Sequence, residues 1–192
     1  MLTTSRRRFL ALGAGSVVLL TAGGALSWWT AGYALREGEV ALGLSPKAYC
    51  VVRSLVELLC AGSDGLPDGV AEGVAQRIDE EVWSADAATR DDLEAAIQLL
   101  EHLPPWFGFA GRLSGLPLDQ REACFERYLH GDDTVIVRAA TSLKQLAHFL
   151  YFSRDACWGA IGYDGPWVAA PKLPDSGIRY RVLLDEARGK PT

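Results

Sequence analysis

Beyond residue 45, apolar residues recur at three- and four-residue spacing, the period of helices that bury one face. Ser45-Pro46 opens the first such run with an N-cap residue followed by proline at the first helical position. Tyr49, Val52, Val56 and Leu59 share its stripe, and Gly62 follows its end at Cys60. A second helix is expected over 68–83, with Ala71, Val74, Ile78 and Val82 inward and Asp79, Glu80 and Glu81 splayed as a solvated face. A third, over 89–103, is expected to bury Leu93, Ala96, Ile97 and Leu100, to expose Asp91, Glu94, Gln98 and Glu101, and to stop at Pro104-Pro105.

Asp119-Gln120-Arg121-Glu122 has the form of a capping box and starts a helix that ends at His130-Gly131. The longest periodic run covers 133–152, with Ile136, Ala140, Leu143, Ala147 and Leu150 on one face and Arg138, Gln145 and His148 on the other. A short helix is expected over 154–160. After Gly162 the chain is punctuated by Pro, Gly and Asp, with only a brief run from Tyr180 to Leu184. No alternating strand pair joined by a turn precedes it. The fold class is therefore all-α: a small helical domain with an irregular C-terminal tail.

The first residues follow a different pattern. Residues 9–29 carry no charge, and as a helix they would span roughly 31 Å, about one bilayer core. Ser5-Arg6-Arg7-Arg8-Phe9-Leu10 stands before them. The order resembles the twin-arginine translocation signal, with Ser5, Arg6, Arg7, Phe9 and Leu10 as the export residues. Ala11 occupies a place where that pattern usually has Lys. A basic start to an ordinary secretory signal is the alternative. Small residues at Gly23-Gly24-Ala25 and Gly32-Tyr33-Ala34 offer cleavage sites. Trp28 and Trp29 instead suit the interfacial end of a retained anchor with its basic end inside. The organisation expected is a signal or signal-anchor segment over 1–34 and a helical domain over 35–192. The resemblance implies a bacterial periplasmic location, with the inner membrane as a possible anchorage through 9–29.

The 192-residue chain has 19 Lys and Arg against 24 Asp and Glu, a net charge of −5. Setting aside Arg6, Arg7 and Arg8 leaves 16 basic against 24 acidic side chains, near −8 for the helical domain. That balance argues against nucleic acid as a partner.

Candidate chemistry is sparse. There is no Cys-x-x-Cys-His for covalent haem, no cysteine spacing of an iron–sulfur or zinc site, no Gly-x-Ser-x-Gly and no His-Glu-x-x-His. Cys50 and Cys60, ten residues apart on one helix, cannot pair with each other. A link through Cys124 or Cys157 is open, and Cys157, beside the irregular segment, is expected to be the most accessible thiol. His102 and His130 fall at helix C-termini, where a protonated imidazole suits the dipole, and His148 on a polar stripe. All three read as structural or solvated. No catalytic, metal or cofactor residues are assigned. Trp158, Ile161, Tyr163, Pro166 and Trp167 are large and apolar for a loop; they either cap the domain's own core or meet a partner.

From Arg138 the chain reads R-A-A-T-S-L-K-Q-L-A-H-F-L-Y-F-S-R-D-A-C-W-G-A-I-G-Y-D-G-P-W. This stretch resembles the gluconate 2-dehydrogenase subunit 3-like proteins, small subunits of membrane-associated flavoprotein dehydrogenases of the glucose-methanol-choline (GMC) type. The resemblance rests on a long helix ending in Phe149, Tyr151 and Phe152, an acidic turn, Trp158, and the run from Ile161 to Trp167. Residues 121–129 and the leader fit the same layout. It departs at Asp155-Ala156, where relatives often carry Pro, and at Cys157. Such subunits do no chemistry and hold no cofactor. They bind a catalytic subunit that contains FAD and lacks its own leader, carry it folded through the twin-arginine translocase, and support its folding. A membrane electron-acceptor subunit is a further partner this resemblance allows. The candidate partner interface is Tyr151, Phe152, Cys157, Trp158, Ile161, Tyr163, Pro166 and Trp167. Two other classes stand beside this one: a periplasmic helical module binding a lipid, quinone or haem, and an independent enzyme of unrecognised type.

Overall fold

The structure, a computed structural model, describes residues 32–166 and 174–189. The chain divides between Tyr33 and Ala34, and the helical domain is the part from Ala34 onward. Ser5, Arg6, Arg7, Phe9 and Leu10, expected as export residues, and Trp167, expected at the interface, lie outside the described residues.

The domain is all-helical, with no strand among the described residues. Its helices are α1 (Pro46–Leu59), α2 (Val74–Ser84), α3 (Ala87–His102), α4 (Leu118–Leu129), α5 (Thr134–Phe152), the single turn α6 (Asp155–Trp158) and α7 (Asp175–Ala187). Short 3-10 turns at Pro104–Phe107 and Leu113–Gly115 connect α3 to α4. Helix α1 is the centre. It packs against α2, α3, α4 and α5, and Ala48, Tyr49, Cys50, Val51, Val52, Leu55 and Val56 are all buried. The expected single stripe is thus a helix surrounded on most sides.

Local starts follow from side-chain chemistry. Ser45 Oγ accepts from Ala48 N at 3.1 Å. Asp86 Oδ1 accepts from Thr89 N at 3.0 Å, and Asp133 Oδ1 from Val135 N at 2.8 Å. Each satisfies amide groups that a helix start leaves without a partner.

Several expectations are corrected. Helix α2 begins at Val74, six residues later than expected, because Gly73 sits at φ +69 in the left-handed region and a right-handed helix cannot run through it. Asp68 instead holds a turn, accepting from Val70 N and Ala71 N at 2.8 and 3.0 Å. Helix α4 starts after Pro117 with no side-chain cap, so the capping box does not form. Its Arg121 turns inward and donates to the carbonyls of Ser54 (2.8 Å), Leu116 (3.1 Å) and Ser114 (3.3 Å). Glu101 is buried, not exposed; it accepts from Ser114 N and Oγ at 2.9 and 2.7 Å and so fixes the second 3-10 turn.

The largest correction concerns Asp79 and the tail. Asp79 and Glu80 are buried, and only Glu81 of the three fits the solvated face. The Asp79 carboxylate accepts from three consecutive amides, Leu42 (2.9 Å), Gly43 (3.0 Å) and Leu44 (2.7 Å), and from the Tyr180 hydroxyl. A Cβ at Gly43 would collide with the α2 backbone at Asp79 and Trp83, so this approach requires glycine. The tail is not irregular throughout. Tyr180 and Leu184 of α7 are buried, and α7 packs on α2 with Tyr180 edge-on to Trp83 at 5.8 Å. No clean period announces α7, because Ile178, Val182 and Leu183 stay exposed while Gly177 faces in.

Candidate partner interface

The C-terminal end of α5 and the turns after it bring most of the expected interface residues to one region. Their exposure divides them. Tyr151 is buried; its hydroxyl donates to the Pro67 carbonyl at 2.6 Å, and its ring meets Phe152 edge-on at 5.0 Å. Burial pushes its pKa up to about 12. Cys157 is buried as well, not accessible, and its thiol donates to the Tyr151 carbonyl at 3.2 Å. These two residues hold α6 against the end of α5 from the inside. The surface belongs to Phe152, Ile161, Tyr163 and Pro166, with Trp158 half-buried.

Phe149 adds to this surface and is 73% exposed. The sequence puts it among the aromatics ending the long helix, without marking it as an interface residue. The signal that could have found it is spacing: Phe149 and Phe152 are three apart, on one face of α5. Phe149, Phe152, Gln145, His148 and Ser153 line an open depression of about 560 Å³. Beneath it His148 Nε2 donates to the Leu59 carbonyl at 3.1 Å, tying α5 to the end of α1.

The turn after α6 is well ordered by hydrogen bonds. Ile161 N and Tyr163 N both reach the Trp158 carbonyl, at 3.2 and 2.9 Å. Gly162 at φ +68 turns the chain back, and the Tyr163 ring stands edge-on to Trp158 at 5.3 Å. Gly165 then passes so close that a Cβ there would lie 3.1 Å from the Trp158 ring. Trp158 is thus a wall on which Tyr163 is displayed. Arg154, at the start of α6, lies 3.7 Å from Glu72.

The remaining chemistry is structural. All four cysteines are free and buried, and burial raises each thiol pKa, that of Cys60 to about 12. An intersubunit disulfide at Cys157 has no surface to form on. His102 is buried next to Lys47, whose Nζ donates to its Nε2 at 2.7 Å. Burial, with Lys47 and Arg112 nearby, lowers its pKa to about 4. It is neutral near pH 7, not the protonated dipole partner expected. Among the described residues, no three His, Cys, Asp or Glu side chains converge on a metal site, and no helix is long and apolar enough to cross a membrane.

The chain matches no protein-family model, no curated protein and no solved structure.

Proposed function

We propose that this chain is the non-catalytic small subunit of a periplasmic, FAD-dependent dehydrogenase complex of the GMC type. It carries the folded catalytic subunit through the twin-arginine route and stabilises it afterwards. FAD belongs to the partner. The observation that carries this reading is the exposure of Phe149 and Phe152 at the end of α5 and of Ile161 and Tyr163 in the turn after α6. These side chains stand on helices and turns braced from within by Tyr151 and Cys157. Rigid aromatics of this kind lose little conformational entropy on docking and are the residue types that dominate protein interfaces. The leader and the resemblance of residues 138–167 to gluconate 2-dehydrogenase subunit 3-like proteins supply the identity of the partner.

The test uses the tagged full chain in its native bacterium. It is expected to co-purify with a GMC-type flavoprotein, recognised by its flavin absorbance and its sequence. The double substitution Phe149→Ala with Tyr163→Ala is expected to weaken that association by about 10-fold or more, the loss typical of interface anchors. A folded double variant that retains the flavoprotein in full would overturn the assignment of this surface.

A further inference from the structure

We infer that the outward face of α5, from Val135 to Phe152, is where two copies of this chain pair, antiparallel and about a twofold axis. The pairing stands on the helical domain alone; only its relation to the flavoprotein rests on the proposed function.

Six residues form one stripe along this face: Val135, Arg138, Ser142, Gln145, Phe149 and Phe152. All six are exposed, Val135 at 64% and Phe149 at 73%. Helix α5 buries Ala140, Leu143, Ala147 and Leu150 on its other side, so the stripe takes no part in the domain's own core. Its spacing alternates three and four residues, the seam along which helices pack side by side. Open depressions of about 550, 510 and 560 Å³ follow one another along it. The first lies between α5 and Leu93 and Ala96 of α3. Hollows beside a seam are what the side chains of a facing helix fill.

Symmetry says what covers it. A 3-4-3-4-3 spacing reads the same from either end, so a second α5 laid antiparallel meets it in register. Val135 then faces Phe152 of the second copy, Arg138 faces Phe149, and Ser142 faces Gln145. Each pair is chemically matched: apolar on apolar, a guanidinium on an aromatic ring, a hydroxyl against an amide. The twofold axis makes each pair twice. Parallel pairing would instead set Arg138 against its own copy. Among the described residues Arg138 makes no ion pair or hydrogen bond, so its guanidinium is available to the ring. Small Ser142 near the axis lets the two helices approach closely. The stripe holds no carboxylate, so two domains each near −8 meet where neither presents a negative side chain.

A helix pair about 26 Å long covers less than the roughly 800 Å² per partner of a standard interface. The pairing is therefore weak, with a Kd of micromolar order. That strength suits a cover that is exchanged. Phe149 and Phe152 belong also to the surface proposed for the flavoprotein, and pairing shields them until it docks.

The test uses the full chain, purified in mild detergent without the flavoprotein. Copies carrying Arg138→Cys and differently tagged copies carrying Phe149→Cys are mixed and oxidised with copper phenanthroline in air. The four native thiols are buried and stay out of the reaction. The expected result is a disulfide between the two variants and none within either, since like positions lie about 16 Å apart along the antiparallel pair. Sedimentation equilibrium is expected to show a dimer that Ser142→Arg weakens by about 10-fold or more and Ser142→Ala retains. Ser142 is exposed, so both variants keep the fold, which circular dichroism checks. Absence of the mixed cross-link, like-with-like cross-links of equal strength, or a dimer indifferent to Ser142→Arg overturns the pairing. A mixed cross-link that persists while the flavoprotein is bound leaves the pairing standing and removes Phe149 and Phe152 from the flavoprotein surface.

Discussion

Tyr180 donates its hydroxyl hydrogen to Asp79 Oδ2 at 2.7 Å, closing a buried carboxylate that also caps the amides of Leu42, Gly43 and Leu44. One side chain of α2 thus ties down the segment entering the domain and the helix leaving it. Tyr180→Phe is expected to cost about 1–2 kcal/mol, since Asp79 keeps its three amide donors. Asp79→Ala, which leaves three amides without an acceptor, is expected to cost at least about 3 kcal/mol. Urea unfolding followed by circular dichroism measures both; equal costs would contradict the arrangement.

Acid should weaken the domain through His102. Its folded-state pKa of about 4 lies below the ordinary 6.5, with burial as the main cause and the Lys47 and Arg112 charges adding to it. Between those values the unfolded chain takes up a proton that the fold refuses. The stability is therefore complete above pH 6.5 and declines as pH falls toward 4. His102→Gln removes this group's share of the slope. Urea midpoints measured across that window check it, and an unchanged slope in the variant would count against a depressed His102.

The thiols should be silent in the folded protein. Cys50, Cys60, Cys124 and Cys157 are buried with raised pKa values, and thiolate is the reactive form. Ellman's reagent is expected to find no thiol in the native domain and all four after guanidinium unfolding. Rapid native labelling at Cys157 would show that the braced end of α5 opens.

Helices with one strong stripe were legible in the sequence. Helix α5 runs from its Asp133 cap to Phe152 as its period predicts, and α1 starts at the Ser45-Pro46 signal. What escaped detection has a physical cause in each case. Asp79, Glu80 and Glu101 look like surface carboxylates until the fold supplies amides, hydroxyls and an arginine to meet them. Helix α7 shows apolar residues on both faces, so no period marks it. Gly73 delays the start of α2 through a backbone angle that Asp68 does not reveal. In the candidate interface, the aromatic content was visible, but which rings face out was not. Tyr151 and Phe152 are adjacent, and a helix sends one to the core and the other toward solvent.

Export of a flavoprotein that has no leader of its own is the core of the proposed function. Its most direct measurement is the location of that flavoprotein in the native bacterium when Arg6→Lys and Arg7→Lys are introduced together. The predicted result is holo-flavoprotein, with FAD bound, retained in the cytoplasm alongside this chain and lost from the periplasmic fraction. A normal periplasmic level of the flavoprotein in that double variant would rule out export by this chain.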